Sequence, residues 1–258
     1  MAMQAMNLIS RMSAALAVAV ALAGCGAAAV TATPARTATP APTATGVKVL
    51  WMGDSIAGAQ APAVAAALTA AGVAVKDATS AGGGNVVAGG HEVTTMGAAD
   101  TWKRLQKEIA SFRPTVIAYQ ITAYDWGTTR QQLAAYRKLA RTAGDAKARL
   151  VLISPPPFKI DDFFRPHEKA IRSAPAMAAK AGNATFLDTA DLWGDDPAAD
   201  RAQRAKDGIH SCQQGSAAFA AWFAKRLGEL TGFTPAAPAA WATGRWTGDE
   251  RFGKLGCG

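Results

Sequence analysis

The stretch VKVLWMGDSIAGAQ, residues 47–60, constrains the chain most. Val47, Val49, Leu50 and Trp51 make a nearly continuous apolar run. A strand that alternates apolar and polar residues has one wet face, whereas a continuous run marks a strand covered on both faces, as in a parallel sheet between two layers of helices. Gly53 and Asp54 end the run, and the alanine-rich segment Ala59 to Ala71 has helical composition. Ser55 therefore falls at a strand-to-helix turn, at the carboxyl edge of a sheet, where α/β folds place their ligands and chemistry.

The rest of the chain repeats the pattern. Strand-like runs at Val73 to Val75, Thr115 to Ile121, Leu150 to Ile153 and Thr185 to Leu187 alternate with helical patterns at Trp102 to Phe112, Arg130 to Thr142 and Gly215 to Leu230. This predicts an α/β three-layer sandwich with a central, mostly parallel five-stranded sheet flanked by helices. Ser154-Pro155-Pro156-Pro157 closes the fourth strand, since no helix or interior strand accepts such a run. The glycine-rich loop Gly82 to Gly90 lacks a following Lys-Ser/Thr and fits no nucleotide fingerprint. Asp125 is expected to cap the helix that begins near Thr128. The loop FKIDDFFRPHE, residues 158–168, either forms a substrate-binding rim or folds its phenylalanines beneath itself.

Near the far end, Asp207 and His210 stand three residues apart in KDGIH. Around one tight turn that spacing lets the carboxylate accept the Nδ1 proton of the imidazole and turns Nε2 outward, the orientation a serine nucleophile needs from its base. The chain has three histidines, and neither His91 nor His167 has a carboxylate so spaced. No histidine–carboxylate cluster calls for a catalytic metal, and no cofactor motif is present. Asp188, Asp191, Asp195 and Asp196 fit no calcium loop and read as caps or solvated residues.

Gly-Asp-Ser-Ile at 53–56 and Asp-Gly-Ile-His at 207–210 resemble the first and last blocks of the SGNH-hydrolase superfamily, the GDSL-type lipases and esterases. The resemblance spans about residues 47–231 and implies a flavodoxin-like sandwich with Ser55, His210 and Asp207 as a catalytic triad. It implies an oxyanion hole built from the backbone of Ser55 and a glycine of the second block, Gly82, with Gly83 and Gly84 as neighbouring choices. The third block, usually Gly-x-Asn-Asp, is replaced by Thr122-Ala123-Tyr124-Asp125. Tyr124 stands at the position of the asparagine donor, and Gln120 is a further candidate for that role. The activity implied is hydrolysis or transfer of short O-acyl groups on an envelope glycan or lipid. The alternative is a family fold that binds envelope glycans without turnover.

Residues 1–46 lie outside that domain. Arg11 precedes the short apolar run Ser13 to Ala23, which ends Leu22-Ala23-Gly24-Cys25, the layout of a secretory signal. The last four residues resemble a bacterial lipobox. By that resemblance residues 1–24 are a lipoprotein signal peptide and Cys25 is the lipidated first residue of the mature chain, anchoring it to the outer face of a membrane. Residues 25–46, rich in Ala, Thr and Pro, read as an extended tether, and residues 47–258 as the globular domain with its C-terminal tail. Export leaves Cys212 and Cys257 in an oxidising compartment, where a bridge between them would pin the tail; two separate thiols are the alternative. The net charge of +8 is spread over helices without a nucleic-acid-binding motif, so an anionic envelope surface suits it better than DNA or RNA. Oligomeric state is not legible.

Overall fold

The computed structural model describes residues 43–257; the expected signal peptide, Cys25 and most of the expected tether lie outside the described residues. The five strands are β1 (Lys48–Met52), β2 (Ala74–Asp77), β3 (Val116–Gln120), β4 (Arg149–Ile153) and β5 (Thr185–Leu187). They form one sheet in the order β2-β1-β3-β4-β5, with every pairing parallel. The all-parallel sheet agrees with the expectation, and its central strands are buried on both sides as the apolar run at 47–51 required.

Within those strands successive side chains serve two different cores. Val49, Trp51, Val116, Ala118, Val151 and Ile153 face helices α1 (Ser55–Ala70) and α6 (Gln213–Thr231). Leu50, Met52, Ile117, Tyr119, Leu150 and Leu152 face α2 (Glu92–Phe112), α3 (Thr129–Asp145) and α4 (Glu168–Ala179). Period-two alternation thus survives inside a continuous apolar run because both faces are dry. Trp51 packs against Phe219 and Phe223 of α6, with ring centroids 5.6 and 5.3 Å apart. Two short helices complete the set, α5 (Ala190–Trp193) and α7 (Glu250–Lys254). Among the described residues no helix is long and apolar enough to cross a membrane.

Two helices start earlier than composition suggested. α1 begins at Ser55 because the Asp54 side chain caps it, accepting from the amide of Ile56 at 2.9 Å. α2 begins at Glu92, ten residues before the expected start, under a His91 cap; Thr94, Thr95 and Gly97 lower its helical signal but not its packing. Pro62 lies inside α1 and has no N–H, which leaves the Gly58 carbonyl without its partner in the helix. Arg251 Nη1 donates to that carbonyl at 2.9 Å. The tail is pinned as well by a disulfide between Cys212 and Cys257, the pairing expected from the sequence.

Candidate active site

Ser55 is the first residue of α1, at the carboxyl end of β1. The turn that delivers it requires glycine at 53, where φ is +152° and a Cβ would sit 2.5 Å from the Cβ of Ala57. Gly84 of the following glycine-rich loop packs on that turn, and a Cβ there would lie 2.2 Å from the Gly53 carbonyl oxygen.

The Ser55 Oγ lies 2.9 Å from His210 Nε2, although 155 residues separate them. His210 Nδ1 lies 2.6 Å from Asp207 Oδ2. The other carboxylate oxygen, Oδ1, accepts from the amides of Ile209 and His210 at 2.8 and 3.0 Å, so one side chain both shapes the turn and orients the ring. Partial burial favours the neutral Asp207 acid. The hydrogen bonds from His210 and the two amides outweigh it and hold the carboxyl below its ordinary range. Asp207 is therefore an ionised acceptor at neutral pH.

Several residues that the sequence did not single out hold this geometry. Arg204 stacks over the Trp193 ring at 4.6 Å and donates to the carbonyls of Ala202 and Ile209. Burial lowers its pKa to about 10, against the opposing charge of Asp207. On the far side, the Lys159 amide donates to the Gly208 carbonyl at 2.9 Å, tying the loop after β4 to the turn that carries His210.

Asp54, only 2 % exposed, does more than cap. Its Oδ2 accepts from the amide of Ala123 at 2.8 Å and so clamps the loop after β3 against the nucleophile turn. Burial raises its pKa to about 6, opposed by the amides of Ala123 and Ile56 and by His210.

Asp125 does not cap α3, contrary to the sequence expectation; Thr128 does, in a capping box with Gln131. Asp125 is fully buried and accepts from Tyr119 Oη at 2.7 Å and from the amides of Thr122, Val86 and Val87. The last two belong to the glycine-rich loop, so this carboxylate joins the loops that follow β2 and β3. Burial pushes its pKa up despite these donors.

Gly82 lies in that glycine-rich loop with φ +71°. Among the described residues the amides of Ser55 and Gly82 donate to no protein acceptor. Gln120 does not reach toward Ser55: it is buried beneath α1, where its Nε2 donates to Gln60 Oε1 at 2.9 Å. Tyr124 stacks on Trp126, with centroids 5.7 Å apart, and meets Phe164 edge-on. These rings pack with Ile56 and Ile209, the neighbours of Ser55 and His210. The loop at 158–168 folds two of its three phenylalanines beneath itself. Phe158 and Phe164 turn inward, at 9 % and 7 % exposure, while Phe163 stays 52 % exposed.

A cleft of about 540 Å³ opens beside Ser55 and His210. A larger one, about 660 Å³, lies at the amino edge of the sheet near Arg149 and Thr185 and contains no nucleophile paired with a base. Three of the four acidic residues at 188–196 have protein partners. Asp188 accepts from Ser154 Oγ, Asp191 pairs with Arg226, and Asp196 closes a turn at Ala198.

A family model described as an SGNH domain (fused to AT3 domains) matches residues 25–214 of this chain. The chain belongs to the SGNH family. The match contains Ser55, Asp207 and His210 and stops within the first turn of α6, so nearly all of α6 and the whole tail lie beyond it. Among solved structures, the SGNH chain is similar to a catalytic mutant of Axe2, an acetylxylan esterase from Geobacillus stearothermophilus. The identity is 15 %, 74 % of this chain and 96 % of that one are covered, and the TM-score is 0.50. It is also similar to a GDSL-like lipase from Bacteroides thetaiotaomicron, at 14 % identity, 71 % and 88 % coverage and a TM-score of 0.52. At such identities the likeness shows a shared fold. No curated protein matches the chain.

Proposed function

We propose that this SGNH protein is a serine esterase that removes or transfers short O-acyl groups on an envelope glycan or lipid. The observation that carries the reading is the unbroken run from Ser55 Oγ to His210 Nε2 to Asp207, with links of 2.9 and 2.6 Å.

In the reaction, His210 Nε2 takes the Ser55 proton as Oγ attacks the ester carbonyl, and ionised Asp207 stabilises the imidazolium that forms. The amides of Ser55 and Gly82 receive the developing oxyanion. The tetrahedral intermediate collapses as His210 returns the proton to the leaving alkoxide, leaving Ser55 acylated. Water then attacks the acyl carbon, again with His210 as base, and regenerates the serine. A sugar hydroxyl in place of water makes the same step an acyl transfer. Each oxyanion donor is worth about a hundred- to a thousandfold in turnover. With Gln120 turned away and Tyr124 held in an aromatic stack, two backbone donors make this an esterase for reactive or well-positioned esters.

The proposal extends to the cellular setting. A lipidated Cys25 would hold the enzyme at the outer face of a membrane, and the Cys212–Cys257 bridge suits an oxidising compartment. The test is fluorophosphonate labelling together with hydrolysis of p-nitrophenyl acetate. Ser55→Ala and His210→Ala are each expected to lose both, with turnover down at least about a thousandfold. Wild-type protein that neither labels nor hydrolyses short esters, while still binding envelope glycans, would make it a binding protein instead.

A further inference from the structure

Cations that the sequence spreads over several helices collect at one end of the fold. In a parallel sheet each crossover helix runs back to the edge where the strands begin, so helix ends and strand starts share that amino edge. Lys48 and Arg149 are the first residues of β1 and β4. Both are tied to Thr115 between them, whose Oγ1 accepts from the Lys48 amide and whose carbonyl accepts from that of Arg149, each at 2.9 Å. Arg113 ends α2, Lys180 ends α4, and Arg141 and Lys147 stand on either side of the end of α3. All but Lys48 are exposed.

Among the described residues none of these six cations pairs with a carboxylate. Lys48 Nζ lies over the Phe112 ring at 4.7 Å instead. The acids near the same edge are Glu108, Asp145 and Glu229, and the last of them faces Arg226 at 3.7 Å. The carboxyl edge is the reverse. Asp54, Asp125 and Asp207 stand at the site, and the cations Arg165 and Arg251 are matched there by Asp162 and Asp77. Part of the basic charge complements the C-terminal dipoles of α2, α3 and α4. Lys48 and Arg149 begin strands and serve no helix end, so capping does not account for them.

Two further observations give this face a partner. The described chain enters the domain here: the Thr45 amide donates to the Gly72 carbonyl, in the turn between α1 and β2, at 3.1 Å, and residues 43–47 lead into β1. Everything before residue 43, Cys25 included, is therefore joined to the domain at its basic edge. A cleft of about 660 Å³ opens at the same edge, with Arg141 and Arg149 in its wall beside Asn183 and Asp145. Two guanidinium groups there present forked donors to phosphate oxygens.

We propose that the amino edge of the sheet is a docking surface for an anionic phospholipid bilayer. Phosphate headgroups meet the six cations, and Arg141 and Arg149 receive one of them in the cleft. The contact is electrostatic and peripheral. It turns Ser55 and His210, at the other end of a five-residue strand about 17 Å long, away from that bilayer. The same charges suit a soluble polyanion; the attachment of residues 25–42 at this edge is what favours a bilayer. The inference stands apart from the esterase reading and requires no acyl group on Cys25. Where the anchor proposed above holds the chain near a membrane, this face decides which way the site looks.

The experiment uses residues 25–258 with Cys25→Ser, which keeps every described residue and removes the acylation site. Co-sedimentation is measured with vesicles of phosphatidylcholine, and with vesicles in which about a third of it is replaced by phosphatidylglycerol. Wild type is expected to bind the anionic vesicles at least tenfold more tightly, and to lose most of that preference at about 0.5 M salt. Each cation at such a surface is worth about fivefold in binding, so Arg141→Glu/Lys147→Glu/Arg149→Glu should weaken it at least about thirtyfold. Arg165→Glu/Lys169→Glu/Arg172→Glu makes the same change in net charge where α4 begins, toward the carboxyl edge. It should weaken binding less than threefold, since a charge in physiological salt is felt over only about 8 Å. Thermal melts by circular dichroism check that each variant folds. Should the first set not fold, Arg141→Gln/Lys147→Gln/Arg149→Gln removes the charge without reversing it and should still cost at least tenfold.

The proposal is overturned if anionic vesicles are not preferred, or if the two glutamate sets cost the same. It is equally overturned if Met96→Ser/Phe163→Ser abolishes binding while the amino-edge set does not, which would seat the bilayer on the exposed apolar side chains of the carboxyl edge. Binding of a short DNA duplex that needs the same cations, with none to the vesicles, gives the edge to a soluble polyanion and also overturns it.

Discussion

Ser55 has two unlike flanks. Toward β3 and β4 the site is dry. Asp54 and Asp125, both buried, gather the amides of three loops, and Tyr124, Trp126, Phe158 and Phe164 pack behind them. Toward β2 and the C-terminal tail the site is wet. There the wall is held by the Arg251–Asp77 pair, with side chains 40 % and 30 % exposed, and by one covalent bridge. A buried carboxylate that accepts several amides leaves orphaned donors if it is removed, so it fixes geometry at high cost to change. Half-exposed ion pairs contribute little and can be exchanged freely. The dry flank therefore fixes where Ser55, His210 and the glycine-rich loop stand, while the wet flank is held by contacts that cost less to exchange. The family match follows the same division, since it includes the whole dry flank and omits the tail.

The sharpest way to break this comparison is Asp125→Ala. It strands the Tyr119 hydroxyl and three amides, and unfolding free energy should fall by about 3–5 kcal/mol in denaturant titrations, with aryl acetate turnover lost in parallel. A loss below about 1 kcal/mol would mean that the dry flank is not held as described.

Removing the bridge acts on the other flank. Cys212→Ser with Cys257→Ser opens a covalent loop of 45 residues and should lower stability by about 2–4 kcal/mol. Turnover of p-nitrophenyl acetate should fall much less than in Asp125→Ala, because Ser55, His210 and Asp207 are held from the other side. Equal damage to turnover in both variants would erase the distinction between the flanks.

The smallest effect is a matter of pH. Asp54 has a folded pKa of about 6, above its ordinary 3.8, so between those values the native state binds more protons than the unfolded one. Stability from this group is present at low pH and is lost as pH rises through the window, by no more than about 3 kcal/mol. Asp54→Asn has no such titration. The stability difference, wild type minus variant, should therefore shrink between pH 4 and pH 6.5 and then level off; a difference that grows with pH would reverse the assignment.

Much of this architecture was legible before any coordinates. Continuous apolar runs identified the central strands because burial on both faces leaves no polar residues among them. The Asp-x-x-His spacing placed Asp207 against His210 because the geometry is local to one turn. What sequence could not show were contacts made between loops. Asp125 looked like a helix cap because a capping aspartate and a buried aspartate are the same letter, and only the three-dimensional approach of Val86 and Val87 distinguishes them. Arg204 was invisible for the same reason, since its value lies in Trp193 beneath it and the Ile209 carbonyl ahead of it. The tail is a third case. It lacks periodicity because it follows the contour of α1 and not a repeat of its own.

The proline in α1 has a consequence for when the molecule becomes complete. Pro62 leaves the Gly58 carbonyl open one turn from the nucleophile, and the group that closes it is Arg251, 193 residues further along the chain. A growing chain on the ribosome has therefore made its serine and its imidazole long before it can finish the helix that carries the serine. The arrival of Arg251, and after it an oxidant to join Cys212 to Cys257, decides when the pocket takes its working shape. A molecule assembled in that order keeps its cleft unfinished until Arg251 has been made and Cys212 and Cys257 are joined.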